Sequence, residues 1–302
     1  MSLFRGCGTA LITPFRADGE VDFCAFEQML LRQIKEGTDA LIVCGTTGEP
    51  ATMTGREREA CISLAVETAD HRIPVIAGTG GNCTATAAEQ SRAAERLGAD
   101  GLLVVTPYYN KATQEGLYQH YQAIAGAVKL PVIMYNVPSR TGVNLLPETA
   151  VRIAKDAKNV IAIKEAGSSI AQTARLAALG EGVLDLYSGN DDQILPVLSL
   201  GGIGVISVLA NVMPKTVHEM AAEYLEGDRE RARTLQLMCL PLIEQLFSEV
   251  SPIPVKAALH HLGLCENVLR LPLVPMSAEK ERKLVSELER VRQLGLVEYG
   301  AS

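Results

Sequence analysis

The chain has 302 residues, 47% of them apolar but only 4% aromatic, with no tryptophan; that is ample material for one large α/β domain whose core rests on Val, Ile, Leu and Ala. Its formal net charge of −7 comes from interspersed signs, with no acidic tail and no basic block, which argues against nucleic acid or an anionic membrane as the partner. Seven widely separated cysteines without a CxxC spacing read as reduced thiols, and with no signal-like N-terminus and no apolar run of membrane-spanning length the chain reads as soluble and cytoplasmic.

Eight short apolar runs, each bounded by Gly, Pro or Asn, recur along the first two thirds of the chain. They are Gly8 to Phe15, Asp39 to Thr46, Ile73 to Gly80, Gly101 to Pro107, Pro131 to Pro138, Val160 to Gly167, Leu184 to Asn190 and Gly201 to Val208. None alternates strictly, the pattern of parallel strands covered on both faces. Helix signals fill the gaps. Asp22 precedes a stripe of Phe23, Phe26, Leu30 and Ile34 that stops at Gly37; Thr54 and Glu57 have capping-box spacing; Pro147 suits a first helical turn. Eight strands close a barrel. A doubly wound open sheet is disfavoured because no GxGxxG turn follows the first strand. The fold expected is therefore a (β/α)8 barrel over residues 1–226. A helical domain follows over 227–302, with helices at Asp228 to Glu249, Pro254 to Leu262 and Ser277 to Leu294.

In such barrels the chemistry forms at the C-terminal ends of the strands. Lys164 ends the apolar run Val160 to Ile163, where partial desolvation lowers an ammonium's pKa and frees an amine to attack a carbonyl; it also suits a lysine that snorkels to solvent. Tyr135 ends the preceding strand, as a proton carrier beside Lys164 or as a core tyrosine. Gly45-Thr46-Thr47-Gly48-Glu49 offers hydroxyls and backbone N–H groups as a carboxylate cradle, or is an ordinary turn. Arg140 is a candidate carboxylate clamp, or a surface arginine. Asp191-Asp192 reads as a helix cap, not half a metal site. The five histidines show no metal-ligand spacing.

Together GTTGE at Gly45 to Glu49, YNVPSRTG at Tyr135 to Gly142 and IKEAG at Ile163 to Gly167 resemble the dihydrodipicolinate synthase and N-acetylneuraminate lyase superfamily. The likeness runs from TALITPF near the start to PIPVKAALHHLGL in the tail. TPYYNKATQEGLYQHY at Thr106 to Tyr121, SGND at Ser188 to Asp191 and GGIGVISVLANV at Gly201 to Val212 are most similar to its dihydrodipicolinate synthase branch. This resemblance implies a lyase that condenses pyruvate with L-aspartate-4-semialdehyde to 4-hydroxy-tetrahydrodipicolinate, on the route to diaminopimelate and lysine. It implies Lys164 as the Schiff-base lysine, Tyr135 as proton donor, and Thr46 with Tyr109 as a proton relay, Tyr109 reaching in from a tightly paired copy. Thr47 and Ile206 would bind pyruvate, Gly189 would line the pocket, and Arg140 would hold the semialdehyde carboxylate. No metal or organic cofactor is implied, because the lysine serves as the electron sink, and the assembly implied is a homotetramer of two tight dimers.

One departure stands out. Lysine-inhibited members carry His and Glu residues where this chain has Pro50, Gly55, Arg58 and Thr86, while Asn82 and Tyr108 are kept; weak or absent feedback by lysine is expected. The alternatives are another pyruvate-dependent aldolase of the superfamily, acting on sialic acid or a 2-keto-3-deoxy sugar acid, and a pyruvate-binding homologue without turnover. Arg140 and Tyr109 argue against the first, and the complete Lys164, Tyr135, Thr46 set against the second.

Overall fold

The computed structural model describes residues 2–297, so residue 1 of the expected barrel and residues 298–302 of the expected helical domain lie outside it. Eight strands form one closed, all-parallel barrel in sequential order: β1 (Gly6–Ala10), β2 (Ala40–Val43), β3 (Val75–Gly78), β4 (Gly101–Val105), β5 (Val132–Asn136), β6 (Val160–Glu165), β7 (Asp185–Ser188) and β8 (Gly204–Ser207). Around and beyond them run α1 (Phe23–Lys35), α2 (Gly55–Ala69), α3 (Thr84–Arg96), α4 (Gln114–Ala125), the short α5 (Pro138–Thr141), α6 (Pro147–Asp156), α7 (Ile170–Gly180), α8 (Ile194–Ser199) and α9 (Pro214–Glu226). The chain ends in α10 (Arg229–Leu246), α11 (Ile253–His261) and α12 (Ala278–Gln293). This is a (β/α)8 barrel with a three-helix C-terminal extension. Among the described residues no helix is long and apolar enough to cross a membrane.

The helix starts follow from their caps. Asp22 Oδ1 accepts from the Ala25 N–H at 3.0 Å. Thr54 and Glu57 complete a reciprocal capping box, each side chain accepting from the other's backbone, and Pro147 opens α6, where its missing N–H has no helical partner to lose.

Strand alternation divides the apolar residues into two layers. Ala40 and Ile42 of β2, Ile76 of β3, and Ile133 and Tyr135 of β5 fill the barrel's interior. Their neighbours Leu41, Val43, Val75, Val132 and Met134 face the helices. With a side-chain period of two, this rule decides which strand-end residues can meet at the mouth. A third apolar cluster joins Cys7 of β1 and Val205 of β8 to residues of α9 through α12; α9 covers the barrel's closing edge, and the extension packs on α8, α9 and the turn after β8.

That edge is where the strand limits differ from expectation. The first strand lies at Gly6–Ala10, not Gly8 to Phe15, and the last at Gly204–Ser207, not Gly201 to Val208. The β1–β8 register pairs Gly6 with Gly204, and past Ala10 the chain turns off the barrel, leaving Phe15 only an antiparallel bridge to Val21. A Cβ on Gly204 would stand 2.2 Å from the Gly6 carbonyl oxygen, so the seam closes only because a side chain is missing there. Since backbone has no room to yield, Gly204→Ala is expected to lose about 1–3 kcal/mol or more of stability. A thermal midpoint equal to that of the unaltered chain, by circular dichroism, would contradict the close approach.

Candidate active site

Residues at the C-terminal ends of β5, β6 and β7 converge on one end of the barrel. In the β5–β6 ladder Tyr135 pairs with Lys164 and Asn136 with Glu165. Alternation then separates the two pairs. Tyr135 and Lys164 turn inward, with Lys164 Nζ 4.3 Å from the centroid of the Tyr135 ring. Asn136 and Glu165 turn outward, where Asn136 Nδ2 donates to both Glu165 oxygens, at 3.2 and 3.0 Å, and to Asn144 Oδ1 at 2.9 Å. The Gly167 N–H also donates to Glu165, at 2.7 Å. This outer network braces β5 against β6 behind the inward pair.

Lys164 is only 4% exposed. Burial drives its pKa down to about 7, helped by the nearby positive charge of Arg140 and opposed by the negative charge of Asp191. The amine is therefore substantially uncharged at neutral pH. Burial raises the Tyr135 phenol above its ordinary value, with the charge of Arg140 and a hydrogen bond to the Thr46 side chain pulling the other way. That phenol keeps its proton near neutral pH and is coupled to a hydroxyl that can exchange it.

A cavity of about 350 Å³ opens over the pair, walled by Thr46, Thr47, Arg140, Lys164 and Gly189, together with Phe247, Val250 and Ser251 from the end of α10 and the turn after it. A neighbouring cavity of about 330 Å³ shares Thr46, Tyr135, Arg140 and Ser251 with it and continues past Tyr108 and Arg58. Arg140 is aimed by its own hydrogen bond, Nη2 to the Ser251 carbonyl at 3.2 Å. Gly189 leaves room beside the lysine stem: a Cβ there would lie 3.1 Å from Lys164 Cε and 2.6 Å from Ala166 Cβ.

Of the residues expected at the site, Thr46, Thr47, Tyr135, Arg140, Lys164 and Gly189 meet in this cavity. Two do not line it. Ile206 is fully buried in the inner apolar cluster with Tyr135. Tyr109 is 88% exposed, with a φ of +73°, and stands away from the cavity of its own chain.

The reading of Asp191 as a cap of its own helix is corrected. Its carboxylate is 2% exposed and crosses to β8, accepting from Ser207 Oγ at 2.5 Å and from the Val208 and Leu209 N–H groups at 3.1 and 2.9 Å. Sequence reasoning gave it a local role because Asp-Asp before a helix has a cheap local explanation; its true partners lie 16 to 18 positions away. Also missed was a buried ion pair, Lys256 with Glu49, whose members lie in α11 and in the turn after β2.

Comparison with known proteins agrees with this architecture. Residues 3–291 match the model of the dihydrodipicolinate synthetase family. A 4-hydroxy-tetrahydrodipicolinate synthase of Alkaliphilus oremlandii is 54% identical over 288 residues, covering 95% of this chain and 99% of that one. The crystal structure of the dihydrodipicolinate synthase of Thermotoga maritima superposes with a TM-score of 0.95 at 49% identity, over 98% of this chain and 100% of that one. A structure described as a monomeric dihydrodipicolinate synthase variant matches with the same TM-score and identity, over 98% of both chains. With the fold, the strand-end lysine and near-complete coverage all in agreement, the chain belongs to the dihydrodipicolinate synthetase family.

Proposed function

We propose that this chain is a lyase that condenses pyruvate with L-aspartate-4-semialdehyde through an imine on Lys164, releasing 4-hydroxy-tetrahydrodipicolinate on the route to diaminopimelate and lysine. One observation carries the reading: an inward lysine with a pKa of about 7, in contact with a protonated phenol, at the floor of a cavity whose wall holds Arg140.

The free amine adds to the keto carbon of pyruvate, and the carbinolamine loses water to give the imine. Loss of a methyl proton yields an enamine, whose carbon adds to the aldehyde carbon of the semialdehyde. The amino group of the adduct then attacks the imine carbon, closes the ring and returns Lys164 as the free amine. Each stage moves protons, and Tyr135 with Thr46 supplies a donor and an exchange partner within hydrogen-bond reach. Thr47, beside Thr46 in the cavity wall, suits the pyruvate carboxylate, with Ile206 packed beneath, while Arg140, oriented by Ser251, suits the carboxylate of the second substrate. A tyrosine as exposed as Tyr109 supports a second copy that receives it, completing the relay across a tight dimer, with two such dimers forming a tetramer in the cytoplasm. Among the described residues no cluster of His, Cys, Asp or Glu is arranged to hold a metal ion.

Borohydride reduction in the presence of pyruvate is expected to trap an adduct on Lys164, read by peptide mass mapping; an adduct on another lysine refutes the assignment. Lys164→Ala is expected to abolish turnover with either substrate present, and Tyr135→Phe to lower kcat by about a hundredfold or more. Only the uncharged amine reacts, so kcat/KM for pyruvate is expected to rise with pH through about 7 and level off above it; a profile that falls across that range would contradict the depressed pKa. In place of the inhibitor-binding residues of lysine-sensitive relatives, Arg58 lines the second cavity and donates through Nη2 to the Gly78 carbonyl at 2.8 Å. A positive charge there repels an ammonium, so lysine titration of the coupled assay is expected to show weak inhibition or none. Half-inhibition at sub-millimolar lysine is the contrary result.

A further inference from the structure

The turn that carries Thr46 and Thr47 is secured by a charge from the far end of the chain. Thr46–Gly48 forms one short 3-10 turn and Pro50–Thr52 another. Glu49 joins them at φ +56°, in the left-handed region that non-glycine residues avoid. Its side chain is withdrawn from solvent. It is 2% exposed and meets Lys256 Nζ at 2.5 Å, while the lysine side chain is fully buried. Lys256 also donates to the Val268 carbonyl at 2.9 Å and rests 4.0 Å from the Phe15 ring centroid.

The second Glu49 oxygen accepts from the Arg270 N–H at 3.3 Å. Arg270 is fixed in turn: its guanidinium pairs with Glu57, donates to the Thr52 and Gly19 carbonyls, and lies over the other contact of the Phe15 ring at 4.3 Å. Both carboxylate oxygens of Glu49 are thus held by α11 and the segment after it. The Thr13 hydroxyl also donates to the Gly48 carbonyl at 2.8 Å.

We infer that Glu49 and Lys256 are positioning residues, which act through the 46–48 turn to hold Thr46 against Tyr135 and Thr47 in the cavity wall. The inference rests on the roles given above to Thr46 and Thr47, and it assigns the C-terminal extension a part in the pyruvate half of the reaction. The physical case is one of leverage. Glu49 follows the turn directly, and a buried carboxylate held at both oxygens by a fully buried ammonium and a backbone amide has one available position. Loosening it lets the turn drift relative to a lysine and a phenol that are fixed on strands.

A pair of variants separates positioning from plain stability. Glu49→Gln keeps the shape but strands the buried ammonium, and is expected to lower both the thermal midpoint and the rate. Adding Lys256→Met removes the stranded charge and is expected to restore the midpoint, because no unpaired buried ion remains. In that double variant kcat and kcat/KM for pyruvate are expected to stay about ten- to a hundredfold down, as misplacement of a relay by a fraction of its length would do. The rate of borohydride-trapped adduct formation on Lys164 should fall in parallel, and KM for the aldehyde, which depends on Arg140, should not move.

Recovery of kcat/KM for pyruvate together with the thermal midpoint would overturn the inference, as would a raised KM for the aldehyde. If Glu49→Gln does not accumulate as folded protein, the double variant decides alone. Failure of the unaltered chain to form any adduct at Lys164 overturns the imine reading itself and this inference with it, and is seen before any variant is made.

Discussion

Withdrawal of one amine from water is the constraint on which the rest of this structure turns. An ammonium on a strand end is ordinarily hydrated, and hydration would keep it charged and unreactive near neutral pH. Here the inner layer of the barrel removes that water. Ile133, Ala162, Tyr187 and Ile206 fill the space below, and the Tyr135 ring covers the nitrogen from the side. The opposing pull of Asp191 keeps the cost of burial within bounds. That carboxylate is itself buried and is held by three donors from the end of β8, so its charge is both fixed in place and shared. A lysine with no such neighbour would sit lower still, and one with a direct ion pair would stay protonated.

The same economy of position appears in the extension. Beyond packing on α8 and α9, it reaches the cavity: the Ser251 carbonyl accepts from Arg140, Phe247 and Val250 wall the cavity, and Lys256 reaches Glu49. The sides of the cavity proposed to take the two carboxylates therefore both touch the last quarter of the chain, although Lys164, Tyr135 and Thr46 lie on the barrel.

Much of this was legible in the sequence, for reasons that can be named. Eight apolar runs with turn residues at both ends reveal a parallel barrel because strands buried on two faces have no other composition available. The capping box at Thr54 and Glu57 and the proline at 147 act within a few residues and read without error. Lys164 and Tyr135 emerged because the barrel rule converts strand ends into neighbours. What stayed hidden depends on contacts distant in the chain. Nothing local marks Asp191 as a partner of β8 rather than a cap, or Glu49 as half of an ion pair with a residue in α11. The limits of β1 and β8 were misplaced because the exit from a barrel is set by where the chain must turn, not by where apolarity ends. Tyr109 shows another limit: on the single chain it is largely exposed and does not line the cavity, which no local feature of its segment foretells.

The seam between β1 and β8 has a consequence for how the molecule is made. Asn211 holds the Ala10 carbonyl and the Ile12 amide, at 2.8 and 3.1 Å, from a point 199 to 201 residues later in the chain, and Gly6 waits for Gly204. During synthesis the ribosome must deliver some two thirds of the polypeptide before the first strand can meet its final neighbour. Until then the growing sheet has two unpaired parallel edges, the arrangement most apt to join with another chain. Barrel closure is therefore a late event bridging residues far apart in the chain, and the interval before it is when nascent molecules are most in need of protection from one another.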